Sequence, residues 1–204
     1  SLFIFEYNNT LKDLDFPGKL IASFFQSSSA RTAGFYSLPI GEQKDTTQLI
    51  TIFLMFIGAS PSSTGGGIKT TTFAVILATV RSIIKGHDDT FIKGHKVEKS
   101  TVYRALVIIA MGVAIVAGLT LAIAAADAPK NIPILSIVFE SVSAFATVGL
   151  TTGITHLLSD FSKIILSFAM FIGRVGPISL GIAITLNKNK AKERILPYSK
   201  IIVG

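Results

Sequence analysis

Thr32-Ala33-Gly34-Phe35 recurs 115 residues later as Thr147-Val148-Gly149-Leu150. Met55-Phe56-Ile57-Gly58 recurs at the same offset as Met170-Phe171-Ile172-Gly173. With one residue slipped, Phe25-Gln26-Ser27-Ser28-Ser29-Ala30 matches Phe139-Glu140-Ser141-Val142-Ser143-Ala144 at an offset of 114. One such echo in apolar sequence is chance, but three at nearly one offset are an internal repeat. The fold is therefore two copies of one unit.

The solvent of that unit follows from composition. Half of the 204 residues are hydrophobic and 15% are charged, against about 25% in a soluble domain. Mean hydropathy is +0.61. Ala105 to Ala126 is 22 residues without a charge, and about 20 suffice to cross a bilayer. Ile164 to Leu186 is a second span, interrupted by Gly173-Arg174-Val175-Gly176-Pro177. Leu49 to Ile57 and Phe73 to Val80 are each too short to cross. Joined through Gly58 to Gly67, they make one broken span. Irregular backbone at that depth must be buried in protein or line water, and broken helices at midplane mark transport sites. Leu20 to Ala30 and Ile134 to Ala146 read as re-entrant helices or, on length alone, as interfacial ones. The chain opens on the apolar run Leu2-Phe3-Ile4-Phe5, read as the tail of a span in a fragment of a longer protein.

The charges then sort by side. Segment 81–104 and the tail 187–204 hold eleven of the 19 Lys and Arg, so both are expected in the cytoplasm. The net charge of +7 thus reflects topology and a bilayer partner, with no nucleic acid. With no Cys, thiolate metal sites and disulfides are excluded. His87, His95 and His156 fall on loops, so an enzyme has no catalytic cluster to draw on. The expected organisation is a unit over 1–86, a cytoplasmic linker over 87–101, a second unit over 102–187 and a tail over 188–204. Each unit reads span, outer loop, short helix, Thr-x-Gly-apolar turn, span. Both short helices enter from the outer face, so the units run parallel.

A ten-residue helix reaches about 15 Å, to mid-bilayer. The turn after it offers carbonyls at Thr32, Ala33, Gly34 and Phe35, and at Thr147, Val148, Gly149 and Leu150. Gly admits dihedrals that aim successive carbonyls to one side, and rings of carbonyls replace the hydration shell of a monovalent cation. Each turn alone is an ordinary helix C-cap. Two in register, after matched helices and before matched spans, make a selectivity filter for a monovalent cation. A ring needs about four turns, so the others lie outside this chain. Beneath the filter, Gly58, Ser60, Ser62, Ser63, Thr64, Gly65, Gly66, Gly67 and Lys69 form a candidate gate, with packing break and snorkelling lysine as the plainer readings. Ile68 stands between Gly67 and Lys69 and no strand precedes, which removes a phosphate-binding loop. Arg174, ionisable within a span, is expected to face the protein interior beside that loop, or to pair with Glu140.

At these residues the chain resembles the potassium transporter superfamily of TrkH, KtrB and plant HKT proteins, and within it the KtrB membrane subunits of bacterial Ktr uptake systems. The resemblance is carried by Asn8-Asn9-Thr10, Phe25 to Phe35, Ser63 to Thr70, Ala146 to Thr151 and Gly173 to Pro177. It implies an all-α membrane protein of four span–pore-helix–filter-loop–span units around a pseudo-fourfold pore, with this chain holding most of the third and all of the fourth. It implies K+ as the ion, filter glycines at Gly34 and Gly149, a gating loop at 58–67 and a basic residue facing it at Arg174. It further implies a bacterial plasma-membrane homodimer and a cytoplasmic RCK-type ring that carries the nucleotide, no cofactor belonging to this chain. Pro61 departs from the family pattern, which has a small residue there. The alternative to a filter is a carrier with alternating access and its site at the broken helix; parallel units argue against it.

Overall fold

The computed structural model describes residues 2–61, 63, 65–87, 89–92 and 94–176. Its helices are α1 (Leu2–Glu6), α2 (Phe16–Ser29), α3 (Asp45–Phe56), α4 (Thr70–Ile84), α5 (Lys99–Ala126), α6 (Ile134–Phe145) and α7 (Asp160–Val175). A short hairpin of β1 (Phe91–Ile92) and β2 (His95–Lys96) joins α4 to α5. Lys96 Nζ lies 2.6 Å from Asp89 at its base.

Among the described residues, α5 is the helix long and apolar enough to cross a membrane by itself; its most apolar window has a mean hydropathy of 2.8. Only 11% of that window is buried, so α5 is no core helix of a soluble protein. Phe24, Ile84, Leu121 and Phe168 likewise stand exposed. In water this would be a large apolar surface; in lipid it is the surface that belongs there.

The two short helices start and stop for local reasons. Asp15 caps α2 by accepting from the Gly18 amide at 3.1 Å, and Pro17 fits its first turn. Pro133 precedes α6. Both end where the chain turns left-handed, at Thr32 and Thr147. The halves of the broken span are longer than their apolar runs, 12 residues in α3 and 15 in α4. Polar residues extend α3 because they find partners: Thr47 donates to Glu6 at 2.6 Å, and Gln48 to the Gln43 carbonyl at 3.1 Å. The span expected over Ile164 to Leu186 runs as helix to Val175 and is closed by Gly176 at φ 88°. Its remainder and the tail lie outside the described residues.

The core gathers around α6. Phe139, Val142 and Ala146 pack with Met55 of α3, and with Ala30, Ile40, Val148 and Leu150. Ile123 of α5 and Leu166 and Ala169 of α7 close its other side. Burial thus sets Val148 and Leu150 of the second Thr-x-Gly turn in one apolar block with Ala30 and Ile40, which flank the first turn.

Candidate functional site

The two turns have the same backbone. Thr32 and Gly34 take φ of 67° and 76°, and Thr147 and Gly149 take 54° and 90°. Ala33 and Val148 between them are not left-handed. Alternating handedness aims successive carbonyls to one side. The amides face the other way: Ala33 N–H donates to the Ser29 carbonyl at 3.2 Å, and Val148 N–H to the Ser143 carbonyl at 2.9 Å. A β-branched residue in the left-handed region is a costly outlier, about 1–3 kcal/mol each. The chain holds that strain twice, at equivalent places. The turns also face each other, since a Cβ on Gly34 would lie 2.4 Å from the Val148 carbonyl oxygen.

The Gly/Ser loop lies against both turns. Its ends are pinned together: Ile57 bridges Ile68, and the Ile68 and Thr70 amides donate to the Phe56 and Ala59 carbonyls. The Gly66 amide donates to Thr147 Oγ1 at 2.8 Å. A Cβ on Gly65 would lie 2.6 Å from Thr32 Oγ1, and one on Gly66 would lie 3.0 Å from the Gly173 carbonyl. The loop's glycines are therefore the residues that fit under the first residue of each turn. Lys69 does not snorkel: its Nζ donates to the Gly65 carbonyl at 2.6 Å and to that of Ser63 at 3.2 Å. Arg174 occupies the last turn of α7, next to Gly173, and is an exposed residue of this chain. Glu140, the partner weighed for it, accepts instead from Thr151 Oγ1 and from the Thr152 amide. Gly58 and Ser60 belong to the loop's entry, and Gly67, at φ 72°, to its exit. Ser62 and Thr64 lie outside the described residues.

A pair of buried carboxylates goes unnoticed in the sequence. Glu6, at the end of α1, accepts from the Lys44 amide at 2.9 Å and from Thr47 Oγ1 at 2.6 Å. Asp127, just past α5, accepts from the Ser159 amide at 3.0 Å and from Ser162 Oγ at 2.6 Å. Lys44 and Thr47 become Ser159 and Ser162 at the offset of 115. In each unit, then, a carboxylate at the end of the first helix ties down the start of the helix after the turn. Asn9 adds to the first, donating to Glu6 at 2.7 Å and to the Glu42 carbonyl at 2.9 Å.

Burial alone would raise the Asp127 pKa. Hydrogen bonds from Lys130, Ser162 and Ser159 outweigh it and hold the carboxyl well below the usual carboxylate range. A lowered folded-state pKa gives stability that is complete above the unfolded pKa and fades as pH falls below it toward the folded one. Asp127→Ala is expected to cost about 1–3 kcal/mol at neutral pH, read by thermal unfolding in detergent. The difference from the unsubstituted protein should shrink on acidification below about pH 4. An equal difference at neutral and acidic pH would contradict this.

A crossing helix, two short helices ending in matched turns and a helix broken beneath them define an all-α membrane protein of the pore-helix type. The family model described as TrkH, cation transport protein, matches residues 3–194, and the chain belongs to that family, one of ion transporters and not of enzymes. It is 43% identical over 181 residues to the Ktr system potassium uptake protein B of Bacillus subtilis (strain 168), covering 88% of this chain and 40% of that protein. It is 34% identical over 208 residues to the potassium/sodium uptake protein NtpJ of Enterococcus hirae, covering 100% of this chain and 46% of the relative. The crystal structure of the potassium transporter TrkH from Vibrio parahaemolyticus shares the fold with a TM-score of 0.71 at 19% identity, over 90% of this chain and 40% of that one. The chain spans less than half the length of these relatives.

Proposed function

We propose that this chain is the third and fourth units, 1–86 and 102–187, of a four-unit potassium uptake subunit. Residues 87–101 are then its cytoplasmic linker and 188–204 its cytoplasmic tail. Thr32 to Phe35 and Thr147 to Leu150 form half of the filter. The observation that carries this is the pair of facing turns with alternating handedness, amides bonded back to their short helices, and first three carbonyls that accept no hydrogen bond among the described residues. Residues 58–69 and Arg174 form the gate, supported by the contacts of Gly65 and Gly66 with Thr32 and Thr147. Three relatives are named as proteins of a Ktr system, which supports a subunit that works with other components; a homodimer with a cytoplasmic nucleotide-binding ring on the linker side is the assembly proposed. A carrier with its site at the broken helix has no observation of its own.

The full-length protein should restore growth of a potassium-uptake-deficient bacterium at limiting potassium. Failure to do so, with inserted protein and its partner present, would overturn the proposal. For the gate, Arg174→Ala and deletion of 62–66 should each raise rubidium flux about tenfold without the partner, the equivalent of roughly 1.4 kcal/mol off the closed state. Flux unchanged or lost in both would remove the gate.

A further inference from the structure

Ser29 and Ser143 occupy the last turns of the two short helices and share one unusual bonding pattern. The Ser29 carbonyl accepts from the Ala33 amide at 3.2 Å, while its hydroxyl donates to the Phe35 carbonyl. The Ser143 carbonyl accepts from the Val148 amide at 2.9 Å, while its hydroxyl donates to the Leu150 carbonyl at 2.6 Å. One residue thus grips the second and the fourth positions of each turn. Both serines are buried, at 2% and 3% exposure. A hydroxyl spent on a main-chain carbonyl in that setting holds the carbonyl back toward the helix.

The consequence concerns the number of carbonyls each turn offers. Among the described residues the first three carbonyls of each turn accept no hydrogen bond, and the fourth is taken by serine. Without the hydroxyl, the Leu150 carbonyl loses its partner inside an apolar block, and the Phe35 carbonyl loses its partner at an exposed residue. Either would regain one by rotating toward water or a cation, and the left-handed third residue would rotate with it. The neighbouring serine Ser141 tests position, because its hydroxyl is fully buried and has no hydrogen-bond partner among the described residues.

We propose that Ser29 and Ser143 are positioning residues for ion selectivity, each ending its filter turn by withdrawing the fourth carbonyl from the ion path. The inference rests on the filter reading given above. It bears on Phe35 and Leu150, which then contribute to the filter by shape and not by coordination.

The experiment uses the full-length protein with its partner in proteoliposomes, and reads rubidium and sodium uptake over a range of ion concentrations. The variants are Ser29→Ala, Ser143→Ala, the double substitution, Ser143→Thr and Ser141→Ala, beside Gly149→Ser. Ser143→Ala should raise the rubidium KM about tenfold, the equivalent of one lost hydrogen bond, and lower the preference over sodium, with maximal rate changed little. The double variant should do more, Ser143→Thr should recover much of the loss, and Ser141→Ala should behave as wild type. A fall in maximal rate at unchanged KM and selectivity would reduce the serines to packing and overturn the proposal. So would unchanged selectivity in the double variant while Gly149→Ser relaxes it. If Gly149→Ser also changes nothing, the filter reading itself falls, and this inference with it.

Discussion

Gly34→Ser and Gly149→Ser are each expected to abolish most of the preference for rubidium over sodium. Both glycines stand in the left-handed region, at φ 76° and 90°, where a side chain costs about 1–2 kcal/mol. Gly34 carries a second penalty, because its new Cβ would meet the Val148 carbonyl oxygen at 2.4 Å. That oxygen is one of those assigned to the ion, so relief of the clash moves a ligand. Gly149 has more room, its nearest neighbour being the Gly34 Cα at 3.6 Å. Its serine therefore acts through backbone strain alone. Roughly tenfold loss of preference follows for Gly149→Ser and about hundredfold for Gly34→Ser, at 1.4 kcal/mol for each factor of ten. Unchanged selectivity in both would leave the turns as ordinary helix caps.

Gly173→Ala is expected to have the largest effect on stability. Helix α7 crosses the end of α6 so closely that a Cβ on Gly173 would lie 1.8 Å from the Phe145 carbonyl oxygen. This neighbour is backbone, and Phe145 is itself fully buried. Neither can swing aside, so the helices must separate or the variant must not fold. Overpacking of this kind costs about 3 kcal/mol or more, which lowers Tm by roughly 6–12 °C in a chain of this size. The end of α6 carries Thr147 to Gly149, so ion selectivity should suffer in whatever protein survives. Gly118→Ala is the control: it lies on α5, and a Cβ there would meet nothing within 4 Å. Equal Tm in the two variants would show that α7 does not cross α6 in this way.

Much of this is legible in the sequence because the repeat is. The offset of 115 by itself locates both turns, both short helices and the broken span. Apolarity also finds α5, although the helix begins six residues before the uncharged run, at Lys99. What hydropathy cannot show is where polar side chains spend their hydrogen bonds. Thr47 and Gln48 stand outside the apolar run Leu49 to Ile57, yet both are buried in α3. Glu6 and Asp127 carry no periodicity that marks them, yet they bind the starts of α3 and α7 from within. Ser29 and Ser143 serve only as letters in the repeat match, although that match is the signal that could find them. Lys69 reads as either gate or snorkel, and only geometry decides between bulk water and the Gly65 carbonyl. The hairpin over β1 and β2 has two residue pairs, too few to leave a period in the sequence.

The central claim is that the facing turns are half of a filter for a dehydrated potassium ion. Its most direct test is rubidium uptake by the full-length wild-type protein and its partner in proteoliposomes, with potassium or sodium added as competitor. The expected result is uptake that potassium suppresses at low concentration and sodium does not. Equal suppression by the two ions, or no uptake by inserted and folded protein, would contradict it.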